Sequence, residues 1–197
     1  MKKKYYAVKK GAKPGIYDNW QDCKDQVHGY KGAIYKSFST EEEARAFVNE
    51  EEIVYDGGPR AYVDGSYSKE KCLFSWGLVL LTDEGEETFS GLSSGSHSSY
   101  WNVAGELYGA INAVKIAMDR SYYSITIYHD YTGIRHWALG EWKRNNDLTS
   151  WYYDFMQEAK SHITINFIKV KAHSGDVYNE LADELAKEAI RKGGEND

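Results

Sequence analysis

The 197 residues are 42% hydrophobic and 27% charged, a globular composition long enough for one ordinary domain plus a small one. No apolar run approaches a membrane span and no apolar signal core follows Met1-Lys2-Lys3-Lys4. Two cysteines, Cys23 and Cys72, offer no disulfide framework or zinc pattern, so a cytoplasmic protein with free thiols and no membrane partner is expected. The net charge of -6 is unevenly spread: residues 1–40 hold nine lysines against three aspartates, a surplus of six, which leaves about -12 on the remainder. A basic head on an acidic body suits two modules, one able to hold a polyanion and one able to hold cations.

The head opens with a strand, Lys4 to Lys9, and a turn at 11–15 where Pro14 fixes φ and Gly15 supplies a positive one. Ile16-Tyr17 is a short extended piece. Asn19 caps a helix from Trp20 to Val27, and Gly29-Tyr30-Lys31-Gly32 breaks it. Ala33 to Phe38 is another strand. Ser39 or Thr40 caps a helix through Val48, whose Glu41, Glu42 and Glu43 complement its N-terminal dipole. Residues 1–48 therefore predict a small α+β domain with a three-stranded sheet and two helices. Tyr6, Trp20 and Phe38 interleave with Lys9, Lys10, Lys31 and Lys36, a pattern suited to nucleic acid, with cations on phosphates and rings on sugars or bases. Phe38 reads equally as core; Trp20, beside Asn19 and Gln21 at a helix start, reads as partly exposed.

Residues 49–58 read as a short linker, acidic at first and bent by Gly57-Gly58-Pro59. Such a tether keeps two modules at high mutual concentration. The body, 59–197, starts with the apolar run Ala61-Tyr62-Val63 that ends on Asp64, with Gly65 free to turn or to approach a ligand. Alone, Asp64 reads as the start of a polar turn. Cys72 to Leu81 is a long strand, Thr82-Asp83-Glu84-Gly85 a hairpin turn, and Glu87 to Gly91 a third strand nearer an edge. A loop from Ser93 to Ser99 leads to a helix from Asn102 to Met118, with Glu106 in its first turn beside the stripe of Val103, Leu107, Ala110, Ile111 and Val114.

Ser124 to Asp130 is a strand that again ends on an acid. If it runs parallel to the Asp64 strand as a neighbour, both carboxylates lie at one end of the sheet, where open α/β sheets place their ligands. Two helices follow, Tyr131 to Trp142 and Leu148 to Lys160, packed by Trp137, Trp142, Trp151, Tyr152 and Phe155. The last strand is Ile163 to Ile168. A loop holds His173, which its context alone makes an ordinary polar residue. The final helix runs from Val177 to Arg191, with Asp183 between Leu181-Ala182 and Leu185-Ala186 as the acid turned inward; the bland alternative pairs it with Lys187. Asp64, Glu106, Asp130 and Asp183 form a candidate set, two on strands and two on helices. Carboxylates without a close histidine pair suit a hard, oxygen-loving cation, with Mg²⁺ as the default.

The head residues Tyr5-Tyr6-Ala7-Val8-Lys9-Lys10-Gly11, Lys13-Pro14-Gly15-Ile16-Tyr17, Trp20, Cys23 and Gly29-Tyr30-Lys31-Gly32-Ala33 resemble the viroplasmin-type hybrid-binding domain found ahead of many type 1 ribonucleases H. The resemblance implies RNA/DNA hybrid binding across a minor groove, with contacts at Tyr6, Trp20 and Lys36, and leaves double-stranded RNA as a second ligand. The body carries Asp64-Gly65-Ser66, Gly105-Glu106-Leu107, Tyr128-His129-Asp130, Lys171-Ala172-His173-Ser174-Gly175 and Asn179-Glu180-Leu181-Ala182-Asp183. These resemble the catalytic domain of type 1 ribonuclease H, which implies a ribonuclease H-like five-stranded mixed sheet with flanking helices. It also implies a monomeric endoribonuclease that hydrolyses the RNA strand of RNA/DNA hybrids to 5′-phosphate and 3′-hydroxyl ends. Two Mg²⁺ ions, replaceable by Mn²⁺, would be held by Asp64, Glu106, Asp130 and Asp183. By the same resemblance His173 serves proton transfer and product release, Glu180 is a supporting acid behind the ligands, and Asn102 lies near the RNA strand. Trp101 stands where some members carry a small hydroxylated residue for a DNA phosphate.

Overall fold

The computed structural model describes residues 4–48, 58–94, 96–171 and 175–193. The chain divides into two compact units, Met1–Val54 and Tyr55–Asp197. Of the expected linker, 49–57 lies outside the described residues.

In the first unit, strand β1 (Tyr5–Lys10) is central, with β2 (Gly15–Tyr17) on one side and β3 (Ile34–Phe38) on the other, both antiparallel. Helix α1 (Trp20–Val27) starts where the Asn19 side chain accepts from the Asp22 amide at 2.9 Å, which satisfies an N–H that has no partner within the helix. Its Cys23 and Val27 bury against Val8, while helix α2 (Glu41–Val48) sets Phe47 against Phe38 at 5.3 Å between ring centroids.

In the second unit, β4 (Arg60–Ser68), β5 (Leu73–Thr82) and β6 (Gly85–Ser93) form an antiparallel meander, and β7 (Ser124–His129) and β8 (Thr164–Lys169) add in parallel beyond β4. The order β6-β5-β4-β7-β8 is a five-stranded mixed sheet with β6 at an edge. Helix α3 (Asn102–Asp119) covers one face through Leu107, Ala110, Ile111 and Val114, which pack on Val63, Leu78, Ile125 and Ile127. Helix α6 (Val177–Lys192) covers the other through Ala182, Leu181 and Leu185, against Tyr62, Val79 and Leu81.

Helix α4 spans only Gly133–Ala138, shorter than the expected 131–142, and α5 spans Asp147–Ala159. Gly140 at φ 76° ends α4, with the Glu141 amide returning to the His136 carbonyl at 2.8 Å. Tyr152 and Phe155 pack the core as expected. Trp142 and Trp151 do not: they are 40% and 38% exposed, Trp142 stacked on His136 and Trp151 beside His97. No helix among the described residues is long and apolar enough to cross a membrane.

Candidate active site

Asp64 lies in the middle of β4, not at its end, and is only 9% exposed. Parallel pairing of β4 with β7 stops at Tyr62 and Tyr128, and Asp64 and Asp130 each follow two residues later. Strand alternation puts Asp64 on the face of Tyr62, the face covered by α6. Glu106 reaches the same place from α3, where it is the fifth helical residue and not part of the first turn; it is 4% exposed. One carboxylate oxygen from each of Asp64, Glu106 and Asp130 lies within 4.8 Å of the other two.

Glycine makes this convergence possible. A Cβ on Gly65 would stand 2.3 Å from the Glu106 nitrogen and 2.6 Å from the Asn102 carbonyl oxygen. A Cβ on Gly105 would stand 2.1 Å from the Ser75 carbonyl oxygen. Gly65 therefore stays within β4 and does not turn the chain; it lets α3 press its backbone onto the sheet beside Asp64.

Burial, then the charge of Asp130, pushes Asp64 up to about 6, against the Gly65 amide that donates to its Oδ1 at 2.7 Å. Burial, then the charges of Asp64 and Asp130, raises Glu106 well above the ordinary carboxylate range. The hydrogen bond between the two favours the charged form of Asp64 and the protonated form of Glu106. Glu106 Oε2 is buried with no hydrogen-bond partner among the described residues. An orphaned acceptor facing two further carboxylates fits a divalent cation that takes oxygen ligands.

Asp183 projects its charge on Asp64 and Glu106 from α6, yet its Oδ2 accepts from Lys187 Nζ at 2.6 Å, so it stands outside the three-carboxylate group. That pair is exposed and spaced i,i+4, worth only about 0.3–0.5 kcal/mol, too little to hold Asp183 from a cation. Glu180 is exposed and accepts from the Gly175 amide at 3.1 Å. His173 lies outside the described residues. Asn102 opens α3, exposed, with its carbonyl against Gly65.

Two neighbours of the acids were not singled out in the sequence. Asn179, 4% exposed, donates from Nδ2 to Asp130 Oδ2 at 3.4 Å. Its i,i+4 spacing to Asp183 on the inner stripe of α6 was the available signal. His129 is 1% exposed, its Nδ1 lies 2.9 Å from the Tyr131 carbonyl, and burial lowers its pKa to about 4, so it is neutral beside Asp130.

On the first unit, β1 pairs Val8 with Tyr35 and Tyr6 with Ser37, so Tyr6 and Tyr35 share a face. Trp20 lies between their rings, at 5.7 Å from Tyr6 and 5.8 Å from Tyr35, and Trp20 and Tyr35 are 43% and 46% exposed. Tyr35 completes this aromatic face and becomes visible only once the β1–β3 register is known. Lys36 pairs with Ala7 and stands on the other face, with Nζ 5.5 Å from the centre of the Phe38 ring. The interleaved rings and lysines of the sequence thus divide between two faces.

A family model described as the ribonuclease H1 N-terminal domain matches residues 4–48, and one described as RNase H matches residues 59–191. Ribonuclease H1 of Mus musculus is 26% identical over 258 residues, spanning 95% of this chain and 90% of the mouse protein. Ribonuclease H of Saccharomyces cerevisiae is 43% identical over 65 residues, 33% of this chain and 19% of the yeast protein. The RNase H1 structure from Halobacterium salinarum shares the fold with a TM-score of 0.58 at 21% identity, covering 68% of this chain and 98% of that one. With three acids drawn together where the β4–β7 pairing of a five-stranded mixed sheet ends and a matching model over most of its length, the chain belongs to the ribonuclease H family.

Proposed function

We propose that this chain is an endoribonuclease that hydrolyses the RNA strand of RNA/DNA hybrids, with Mg²⁺ held by Asp64, Glu106, Asp130 and Asp183. The convergence of three carboxylates within 4.8 Å, one with a buried unpartnered oxygen, carries this reading. Bound divalent ions activate water and neutralise charge on a phosphodiester, and a pair of ions can serve attacking and leaving oxygens together. The residues supply the frame. Gly65 and Gly105 fix Glu106 against β4, Asn179 orients Asp130, and neutral His129 holds the Tyr131 carbonyl just past it. The products of such hydrolysis carry 5′-phosphate and 3′-hydroxyl ends. The Tyr6, Trp20 and Tyr35 face offers stacking surfaces to the hybrid. Free Cys23 and Cys72 support a reducing, cytoplasmic setting.

The test is a panel of matched RNA/DNA, RNA/RNA and DNA/DNA duplexes with Mg²⁺, Mn²⁺ or EDTA. Cleavage of the RNA strand of the hybrid alone, abolished by EDTA, is expected. Asp130→Asn should lower the rate by at least about a hundred-fold while hybrid binding persists. Cleavage in EDTA, or equal cleavage of all three duplexes, overturns the proposal.

A further inference from the structure

Trp101 sits next to the carboxylate site, yet nothing in the hydrolysis reading uses it. Trp101 is 62% exposed. Among the described residues it makes no side-chain hydrogen bond and stacks on no other ring. Its backbone has φ 56° and ψ -137°, the geometry of the first central residue of a type II′ turn, which glycine dominates. Non-glycine residues persist in such regions only where their surroundings over-determine them, and such positions cluster at functional sites.

The surroundings do over-determine it. The Tyr100 hydroxyl donates to Asp147 Oδ1 at 2.5 Å. His97 Nδ1 lies 3.1 Å from the Tyr108 hydroxyl, and Nε2 lies 3.6 Å from Asp147. The His97 ring packs at 5.6 Å from Trp151. The Trp101 amide donates to the Ser98 carbonyl at 3.2 Å, and its own carbonyl accepts from Ala104 at 3.2 Å. The 3-10 turn Ser96–Tyr100 is thereby tied to α3 and α5, and Trp101 is held where it projects. The next residue, Asn102, has its carbonyl against Gly65, the neighbour of Asp64. Folding gains nothing from an indole here: glycine meets this backbone without strain, and the ring buries little.

We propose that Trp101 is a substrate-contacting residue that lays the flat face of its indole on a sugar or base of the bound hybrid beside the carboxylates; this rests on the reading of the chain as a hybrid nuclease. Exposed aromatic rings beside a nucleic-acid site gain affinity from stacking whatever the base, so the contribution is to grip and placement, not to base sequence.

The experiment compares Trp101→Gly, Trp101→Ala and Trp101→Phe in the full chain. It reads KM and kcat on an RNA/DNA hybrid with Mg²⁺ and Tm without substrate. Each variant is also measured with Trp20→Ala, where the first unit contributes less grip. Trp101→Gly should raise Tm by about 2–4 °C, through relief of backbone strain. It should also raise KM about ten-fold through loss of the ring. Trp101→Ala should raise KM equally without the gain in Tm, and Trp101→Phe should restore most of the affinity. A purely structural residue gives the opposite pattern, a lower Tm in Trp101→Gly with KM unchanged. An unchanged KM in Trp101→Ala while the wild type cuts hybrid overturns this assignment alone. Self-association of the wild type that Trp101→Ala abolishes gives the ring to a second copy and also overturns it. A wild-type chain that cuts no hybrid overturns the functional reading and this one with it.

Discussion

Asp64 is a carboxylate kept where folding alone disfavours its charge, and that conflict is measurable. Its folded pKa is pushed up to about 6 from 3.8, by burial first and Asp130 second. Below about pH 4 the carboxyl is protonated in both folded and unfolded chains. Between about pH 4 and 6 the unfolded chain releases the proton while the folded one keeps it. Stability therefore falls across that window and stays lost above it, by roughly 2–3 kcal/mol. Glu106, raised by the same burial, extends the loss to higher pH. Surface acids such as Asp147, held low by the Tyr100 hydroxyl, act with the opposite sign, so a difference must be read. In EDTA, Tm of Asp64→Asn should rise relative to wild type from pH 4 to 6. Mg²⁺ should then restore the wild type and do little for the variant, because a cation that binds only the folded state stabilises it. A Tm difference that ignores both pH and Mg²⁺ would place Asp64 outside any cation site.

At the level of elements, α6 depends on Gly77. A Cβ there would meet the Ala182 carbonyl oxygen at 2.0 Å and the Ala186 nitrogen at 2.8 Å, both helix backbone that cannot swing aside. Gly77→Ala should lift α6 and cost about 1–3 kcal/mol by overpacking. Because α6 carries Asn179 and Asp183, the Tm gain from Mg²⁺ should shrink as well; a variant with lower Tm but the full Mg²⁺ gain would separate α6 position from the acids. These contacts mark what the sequence could and could not disclose. Apolar, extended or alternating runs marked the eight strands, and two strands each meeting an acid put Asp64 and Asp130 at one place on the condition, met in the fold, that β4 and β7 pair in parallel. The role of Gly65 stayed hidden because its partner, the start of α3, lies 40 residues away in sequence. Tyr35 and Asn179 needed a pairing register and a helix face that only the folded chain defines. Trp142 and Trp151 read as core because sequence pattern does not distinguish a buried ring from a part-exposed one packed against a half-buried histidine. The short α4 was lost for a similar reason: Gly140 ends it in a left-handed turn that the surrounding apolar residues concealed.

For the whole molecule, charge sets a division of labour. Residues 1–40 carry a surplus of six positive charges, which the acids of 41–54 cut to one for Met1–Val54, against -7 on the rest, so attraction to a polyanion falls to the lysines of residues 1–40. Its rings and cations are separable, since Trp20, Tyr6 and Tyr35 share one face and Lys36 stands on the other. Stacking is nearly independent of salt, whereas each phosphate contact adds about 0.9 to the slope of log affinity against log salt. Trp20→Ala should therefore lower hybrid affinity about ten-fold with the salt slope unchanged. Lys36 is exposed on the edge strand β3, so its charge is open to a phosphate. Lys36→Gln should lower the slope by about one, and its affinity deficit should vanish at high salt. Binding isotherms across a salt series, in Ca²⁺ or EDTA to prevent turnover, measure both. A slope unchanged in Lys36→Gln would confine the hybrid to the aromatic face, and an affinity unchanged in Trp20→Ala would remove the hybrid from that face altogether.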